Sequence, residues 1–213
     1  MKEFEKSVYS QNGEDGIIEH IFSVIGTLNK YFVEFGIHPN EGNTLYLKEK
    51  GWNGLWMDQD GGGEVIKQEP ITAGNINELF KGYKVPHEFD LLSIDIDGND
   101  YYVWEAIESS PRVVVIEYNS SIPANESKTI FYDPDHVWKD DDYYGASLLA
   151  LDKLGRRKGY TLLYCEANGV NAFFVRSDLV SGRFKESTVA DLWVPPGWRE
   201  GGWPASNRLM REV

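Results

Sequence analysis

Apolar positions along this chain follow two alternating rhythms. From Ser10, SQNGEDGIIEHIFSVIG places Ile17, Ile18, Ile21, Phe22 and Ile25 at three- and four-residue spacing, which predicts an amphipathic helix stopping at Gly26. YFVEFG (31–36) and GLWMD (54–58) are short apolar runs of the kind found in strands buried on both faces. GNTLYLKEKG (42–51), between them, has helical character and ends at Gly51. ITAGNINELF (71–80) reads as a short strand and a short helix, and FDLLSID (89–95) as a strand feeding a helix at DYYVWEAI (100–107). RVVVIEYN (112–119) is another buried strand, and GASLLALDKLGRRKGY (145–160) an amphipathic helix. Arg156, Arg157 and Lys158 in its last turns suit the negative end of the helix dipole, and Gly159 suits its C-cap. YTLLYCE and NAFFVR lie about five residues apart, close enough to pair only antiparallel.

Apolar strands that alternate with helices predict a mostly parallel sheet covered on both faces, here with an antiparallel hairpin at its C-terminal edge. The expected organisation is one α/β domain with three parts: a helical lead (1–30), a core (31–176) and an irregular tail rich in Trp, Pro and Gly (177–213). No internal repeat is visible.

Composition narrows the function classes. With 213 residues the chain can bury a substantial core, and a formal charge of −13 opposes tracking along nucleic-acid phosphates. Cys165 is the only cysteine, which rules out an internal disulfide and a multi-cysteine zinc site. The opening MKEFEKSVYS does not read as a secretory leader, and no apolar stretch approaches the length of a membrane span. The expectation is a cytoplasmic protein acting on a small molecule, without nucleic-acid or membrane partners and with self-association left open.

Candidate chemistry gathers at the predicted carboxyl ends of the strands, where open α/β sheets bind ligands. EFGIHPNEGNT (34–44) has a close-approach glycine, Gly36, and a helix start with free N–H groups at Gly42, Asn43 and Thr44. It lacks the glycine triplet of a dinucleotide site, and Glu34 at the strand tip suits a cationic amine instead. Asp58, with Gln59 beside it, is placed to bind ribose hydroxyls, and the 75–77 segment, with Asn75 and Ile76, to flank a base. SIDIDGND crowds Asp95, Asp97 and Asp100 together. Counted as an EF-hand from Asp95, its glycine falls too early and its twelfth position is Ala106, so that route to calcium is rejected. Asp95 with Asp97, and Glu117 with Asn119, share faces by period two, and an oxygen cluster built from them would suit Mg²⁺ as well as a metal-free polar rim. Asp100 is expected to cap the following helix. His136, in the long connection after the fifth main strand, is a candidate general base, and His38 a candidate ligand contact.

YSQNGEDGI, FVEFG…GNT, GWNGLWMDQD, DLLSIDIDGNDYYVW, VVVIEYN, GASLLAL and GVNAFFVR, taken in order, resemble the FkbM-like branch of class I S-adenosylmethionine-dependent methyltransferases over residues 9–176. The resemblance implies a Rossmann-like seven-stranded sheet and methyl transfer, commonly to oxygen. It implies that Glu34, Gly36 and Asn43 hold the methionine part of the cofactor, that Asp58 holds the ribose, and that Asp95 closes the pocket. Gln11 or Glu14 would approach from the N-terminal motif. Metal-dependent relatives would place an ion at Asp95, Glu117 and Asn119, although Tyr118 separates a pair that is usually adjacent.

The expected reaction is O-methylation of a small hydroxylated acceptor such as a sugar or natural-product intermediate. Asp97 or His136 would serve as base, or Mg²⁺ at Asp95 would assist. Tyr101, Tyr102, Trp104, Tyr143 and Tyr144 are candidates for an aromatic acceptor wall, or for core. The rival readings are a catalytically silent cofactor-binding or assembly subunit and a nucleotide-dependent oxidoreductase.

Overall fold

The computed structural model describes residues 1–185, 187–197 and 202–213. Its elements, in chain order, are α1 (Glu14–Ile25), β1 (Tyr31–Phe35), α2 (Leu45–Glu49), β2 (Asn53–Asp58), β3 (Ile66–Gln68), α3 (Ile76–Gly82), β4 (Glu88–Ile94), α4 (Asp100–Ala106), β5 (Ser110–Glu117), β6 (Lys128–Thr129), α5 (Leu148–Arg157), β7 (Tyr160–Cys165), β8 (Asn171–Arg176), α6 (Ser177–Val180), α7 (Val189–Leu192) and β9 (Arg211–Glu212). The main sheet has seven strands in the order β3-β2-β1-β4-β5-β8-β7, and β6 and β9 form a separate two-stranded ribbon. β1 to β5 run parallel, and β8 lies antiparallel to both β5 and β7. The α/β architecture expected from the apolar rhythm is therefore present.

Period-two alternation sorts the core into two faces. Phe32, Leu91, Val113, Val115, Phe173 and Val175 pack with Ile17, Ile18, Ile21 and Phe22 of α1 on one side of the sheet. Val33, Leu92, Ile94, Val114, Ile116 and Phe174 pack with residues of α3, α4 and α5 on the other. The strands are apolar throughout because both faces are covered.

Three local expectations need correction. The third strand is Ile66–Gln68, so 71–75 forms the turn into α3 instead of a strand. Asp100 does not cap α4: it is the helix's first residue, and its carboxylate accepts from the Ile96 and Gly98 N–H groups at 2.9 Å each, bracing the loop before it. The tail is less irregular than its composition suggests, since it carries α6, α7 and β9. Trp193 Nε1 donates to the Ile122 carbonyl (3.0 Å), and the Tyr118 hydroxyl donates to that of Val194 (2.9 Å).

One structural anchor lies far from the carboxyl edge of the sheet. Asp90, fully buried near the start of β4, accepts from the backbone N–H groups of Leu28, Asn29 and Lys30 and from Arg112 Nη1 (2.8 Å). Ser147 caps α5, accepting from Ala150 N. The basic end of α5 has a structural role: Arg156 pairs with Asp152, and Lys158 Nζ donates to the Glu105 and Ile107 carbonyls. Among the described residues, no helix is long and apolar enough to cross a membrane.

Candidate functional site

Strand order reverses between β1 and β4: β2 and β3 lie outside β1, while β5, β8 and β7 lie outside β4. A crevice opens at the carboxyl end of such a switch point. Gly36 and Asp95 stand on its two sides, and they approach so closely that a Cβ on Gly36 would sit 1.5 Å from the Asp95 carbonyl oxygen. Gly36 also has φ +72°, a conformation glycine adopts without strain.

Three cavities meet at these two residues, with volumes of about 440, 150 and 100 Å³. The smallest lies over β1 and the start of α2, bounded by Gln11, Glu14, Glu34, Glu41, Asn43 and Asn171. The middle one lies over β2, bounded by Asp58, Gln59, the 69–72 turn, Asp97 and His136. The largest lies over β4 and β5, bounded by Asp95, Asp97, Glu117, Trp138, Tyr144 and Trp203.

In the smallest cavity, Glu34 anchors the first turn of α2. It accepts from Asn43 N (2.6 Å), Thr44 N (3.1 Å) and Thr44 Oγ1 (2.5 Å), and it lies almost wholly out of solvent. Burial pushes its pKa up to about 7 against the pull of those donors. Asn43 Nδ2 donates to Ser93 Oγ (3.0 Å), and Gln11 Nε2 donates to Glu41. Buried Glu14 accepts from Asn12 N (2.8 Å) and Asn171 Nδ2 (2.9 Å), while the Asn171 Oδ1 is buried with no partner among the described residues. His38 lines this cavity as well.

In the middle cavity Asp58 ends β2 and accepts from Asp60 N (2.7 Å). Asn75 and Ile76 do not reach it. Asn75 is occupied inside the turn, accepting from Thr72 N (2.8 Å) and donating to the Pro70 carbonyl (2.6 Å), and Ile76 is fully buried in the core. Glu69, Pro70, Ile71 and Thr72 take the place expected of residues 75–77. His136 packs against Gly98, which has no side chain to obstruct it. Burial, reinforced by Arg208, lowers the His136 pKa, so its imidazole is neutral near pH 7, and its Nε2 is buried with no partner among the described residues. His136, the candidate base, thus lines the middle cavity with Asp58 and Asp97 and does not line the largest.

In the largest cavity Asp95, Asp97 and Glu117 each offer a carboxylate oxygen within 4.8 Å of the others, an arrangement able to hold a cation. β4 ends at Ile94 and β5 at Glu117, and Asp97 joins them through a left-handed turn (φ +54°). Asn119, expected among the metal ligands, does not line this cavity, and its amide is engaged elsewhere. The chain leaves the strand after Glu117, and Asn119 Nδ2 donates to the Asp142 and Tyr144 carbonyls (2.8 and 3.0 Å) while its Oδ1 accepts from Ser121 N. Burial, and then mutual repulsion, raises the Asp95 and Glu117 pKa values well above the ordinary carboxylate range, and burial with Asp58 and Asp140 nearby raises that of Asp97. Of the aromatic candidates, Tyr101, Tyr102 and Trp104 are core residues, and Tyr143 packs beside His136. Only Tyr144 faces the cavity. Trp138 and Trp203, which sequence reasoning did not single out, complete its aromatic wall with ring centroids 4.5 Å apart.

Trp203 is positioned by a strap formed by the C-terminal segment. Asp142 N donates to the Pro204 carbonyl, Ser206 N donates to Asp142 Oδ1, and Arg208 grips both Asp141 oxygens at 2.7 and 2.8 Å while lying 3.9 Å over the Tyr143 ring.

These buried acids give the protein a definite pH response. A carboxyl group whose folded pKa is raised binds more protons folded than unfolded. Its contribution is therefore complete below the unfolded value and is lost as pH rises through the folded one. Burial raises Glu34 from 4.5 to about 7 and Asp100 from 3.8 to about 6, so each gives up roughly 3 kcal/mol across those intervals. Thermal unfolding of the ligand-free protein should show a midpoint that falls steadily from pH 5 to pH 8. A flat or rising profile over that span would contradict this electrostatic account.

Compared with known proteins, the chain matches no family model and no curated protein.

Proposed function

We propose that the protein is an S-adenosylmethionine-dependent methyltransferase acting on a small molecule. The observation that carries this reading is the meeting of three differently built cavities at Gly36 and Asp95, on the switch point of a seven-stranded sheet. The adenosine half of the cofactor suits the middle cavity: Asp58 has the acceptor oxygens for two ribose hydroxyls, and the 69–72 turn lies where a base would stack. The methionine half suits the smallest cavity, where Glu14, Glu34 and the buried Asn171 Oδ1 favour an ammonium group. The sulfonium methyl would then point into the largest cavity, the only one of the three with a mixed acidic and aromatic wall.

Catalysis here consists mainly of placement, because in-line displacement at a sulfonium methyl gains most from holding nucleophile, carbon and sulfur in register. The resemblance points to a hydroxyl acceptor. For that chemistry Asp95, Asp97 and Glu117 would hold Mg²⁺, which lowers the hydroxyl pKa when bound.

Calorimetry with S-adenosylhomocysteine tests the cofactor reading. The native chain should bind it, and Asp58→Ala, at a half-buried strand tip, should weaken binding about tenfold through loss of a charged acceptor from two hydrogen bonds. A folded native chain that binds neither this compound nor S-adenosylmethionine would refute the proposal.

A further inference from the structure

Among the described residues, the largest cavity is lined by three carboxylates and by no cationic side chain. Asp95, Asp97 and Glu117 converge within 4.8 Å, and among the described residues lining this cavity there is no Lys, Arg or His, His136 approaching Asp97 only from the middle cavity. The Oε2 atom of Glu117 is buried and meets no donor among the described residues. A carboxylate in that position needs either a proton or a visiting cation. Aromatic rings line the same cavity: the Trp138 and Trp203 indoles stand edge to face at 4.5 Å, and Tyr144 packs 6.2 Å from Trp138. Carboxylates and aromatic rings lining one cavity make a recognition pattern for a cation with an organic body, since ring faces attract positive charge and also bury hydrocarbon. A magnesium ion, which keeps most of its water, gains little from such a wall.

We infer that the acceptor taken by this cavity is a small organic amine, which enters as its ammonium ion and is held by the Asp95–Asp97–Glu117 carboxylates and the Trp138–Trp203–Tyr144 wall. This rests on the methyltransferase reading and changes its acceptor from a hydroxyl to a nitrogen. The step balances simply. The ammonium gives one proton to water at the open rim, and the freed nitrogen lone pair forms the new C–N bond. The C–S bonding pair stays on sulfur, so the sulfonium becomes a neutral thioether and the product carries the positive charge. The cavity volume, about 440 Å³, admits an aromatic or branched aliphatic amine. The C-terminal strap becomes a specificity element, because it supplies Trp203.

The test compares benzylammonium with benzyl alcohol, probes that share a ring and differ in charge, by calorimetry on the full chain with and without saturating S-adenosylhomocysteine. Benzylammonium should bind at least tenfold more tightly. Asp97→Asn, at the exposed rim where folding is least at risk, and Trp203→Ala should each weaken it fivefold or more while leaving the melting midpoint nearly unchanged. Equal binding of the two probes, or benzylammonium binding indifferent to both substitutions, overturns the inference. So does Mg²⁺ binding that Asp97→Asn abolishes in a protein showing no preference for the amine, which would assign the carboxylates to a metal. If S-adenosylhomocysteine binds and the amine preference is missing, the amine assignment fails alone. If the amine preference is present and neither sulfur compound binds, the methyltransferase reading fails while the cation site stands.

Discussion

Gly36→Ala should lower the stability of this protein by about 3–5 kcal/mol, because two separate costs fall on the same residue. At φ +72° any side chain pays the left-handed penalty of roughly 1–2 kcal/mol. The added Cβ would also fall 1.5 Å from the Asp95 carbonyl oxygen and 2.7 Å from its carbonyl carbon. Those are backbone atoms just past the end of β4, so no flexible side chain can swing aside, and the ends of β1 and β4 would have to separate at the point where the cavities meet. Gly51→Ala is the natural control: it has φ +81° and nothing within 4 Å of the added carbon, so it pays only the strain. Urea unfolding of the two variants should separate the effects, Gly51→Ala costing about 1 kcal/mol and Gly36→Ala several times more. Equal losses would mean that the strand approach at Gly36 is looser than described.

Asp90→Ala should be at least as damaging without touching the candidate site. The side chain is fully buried and satisfies three consecutive backbone donors as well as Arg112, which itself also bonds the Ile25 and Gly26 carbonyls. Removing it strands a buried guanidinium and three N–H groups, and breaking buried pairs of this kind costs about 3–5 kcal/mol. Set against a typical total of about 5–15 kcal/mol, that loss should make the midpoint of thermal unfolding fall by roughly 10 °C. Ligand affinity measured well below that midpoint should remain at the native value, since Asp90 is near the start of β4 and the cavities are beyond its end. A loss of affinity without a loss of stability would contradict this division of roles.

The apolar rhythm revealed the layering of this protein because burial on both sheet faces leaves a continuous run in each strand. FDLLSID and RVVVIEYN are therefore legible from sequence as the buried β4 and β5. β3 was harder to read: it is three residues long with only Ile66 buried, so it carries too little periodicity to distinguish it from the turn after it. At the site, Asp95, Gly36, Glu34 and Asp58 were legible because strand tips can be found from the strands. Asn119 was misplaced because the period-two argument holds only while the chain stays extended, and β5 ends at Glu117. Asp97 took its place through a left-handed turn that a side-chain pattern does not encode. Trp138 and Trp203 are 65 positions apart and meet only through the long loop and the C-terminal strap, a contact without any local signal. Asn171 was within reach of inference, since a hairpin strand beginning there pairs it with Glu117.

The strap also constrains the order in which this protein can be completed. β1, the first strand of the chain, lies between β2 and β4, so the parallel centre of the sheet can assemble once residue 94 is available. β9 pairs with β6, and Trp203 reaches its aromatic partner, only after more than a hundred further residues have been made. Closures across that much intervening chain are slow compared with neighbouring-strand pairing. A refolding experiment should thus regain sheet signal early and the tryptophan environment of the largest cavity late. A chain interrupted just before residue 203 would present the two smaller cavities with one wall of the largest missing.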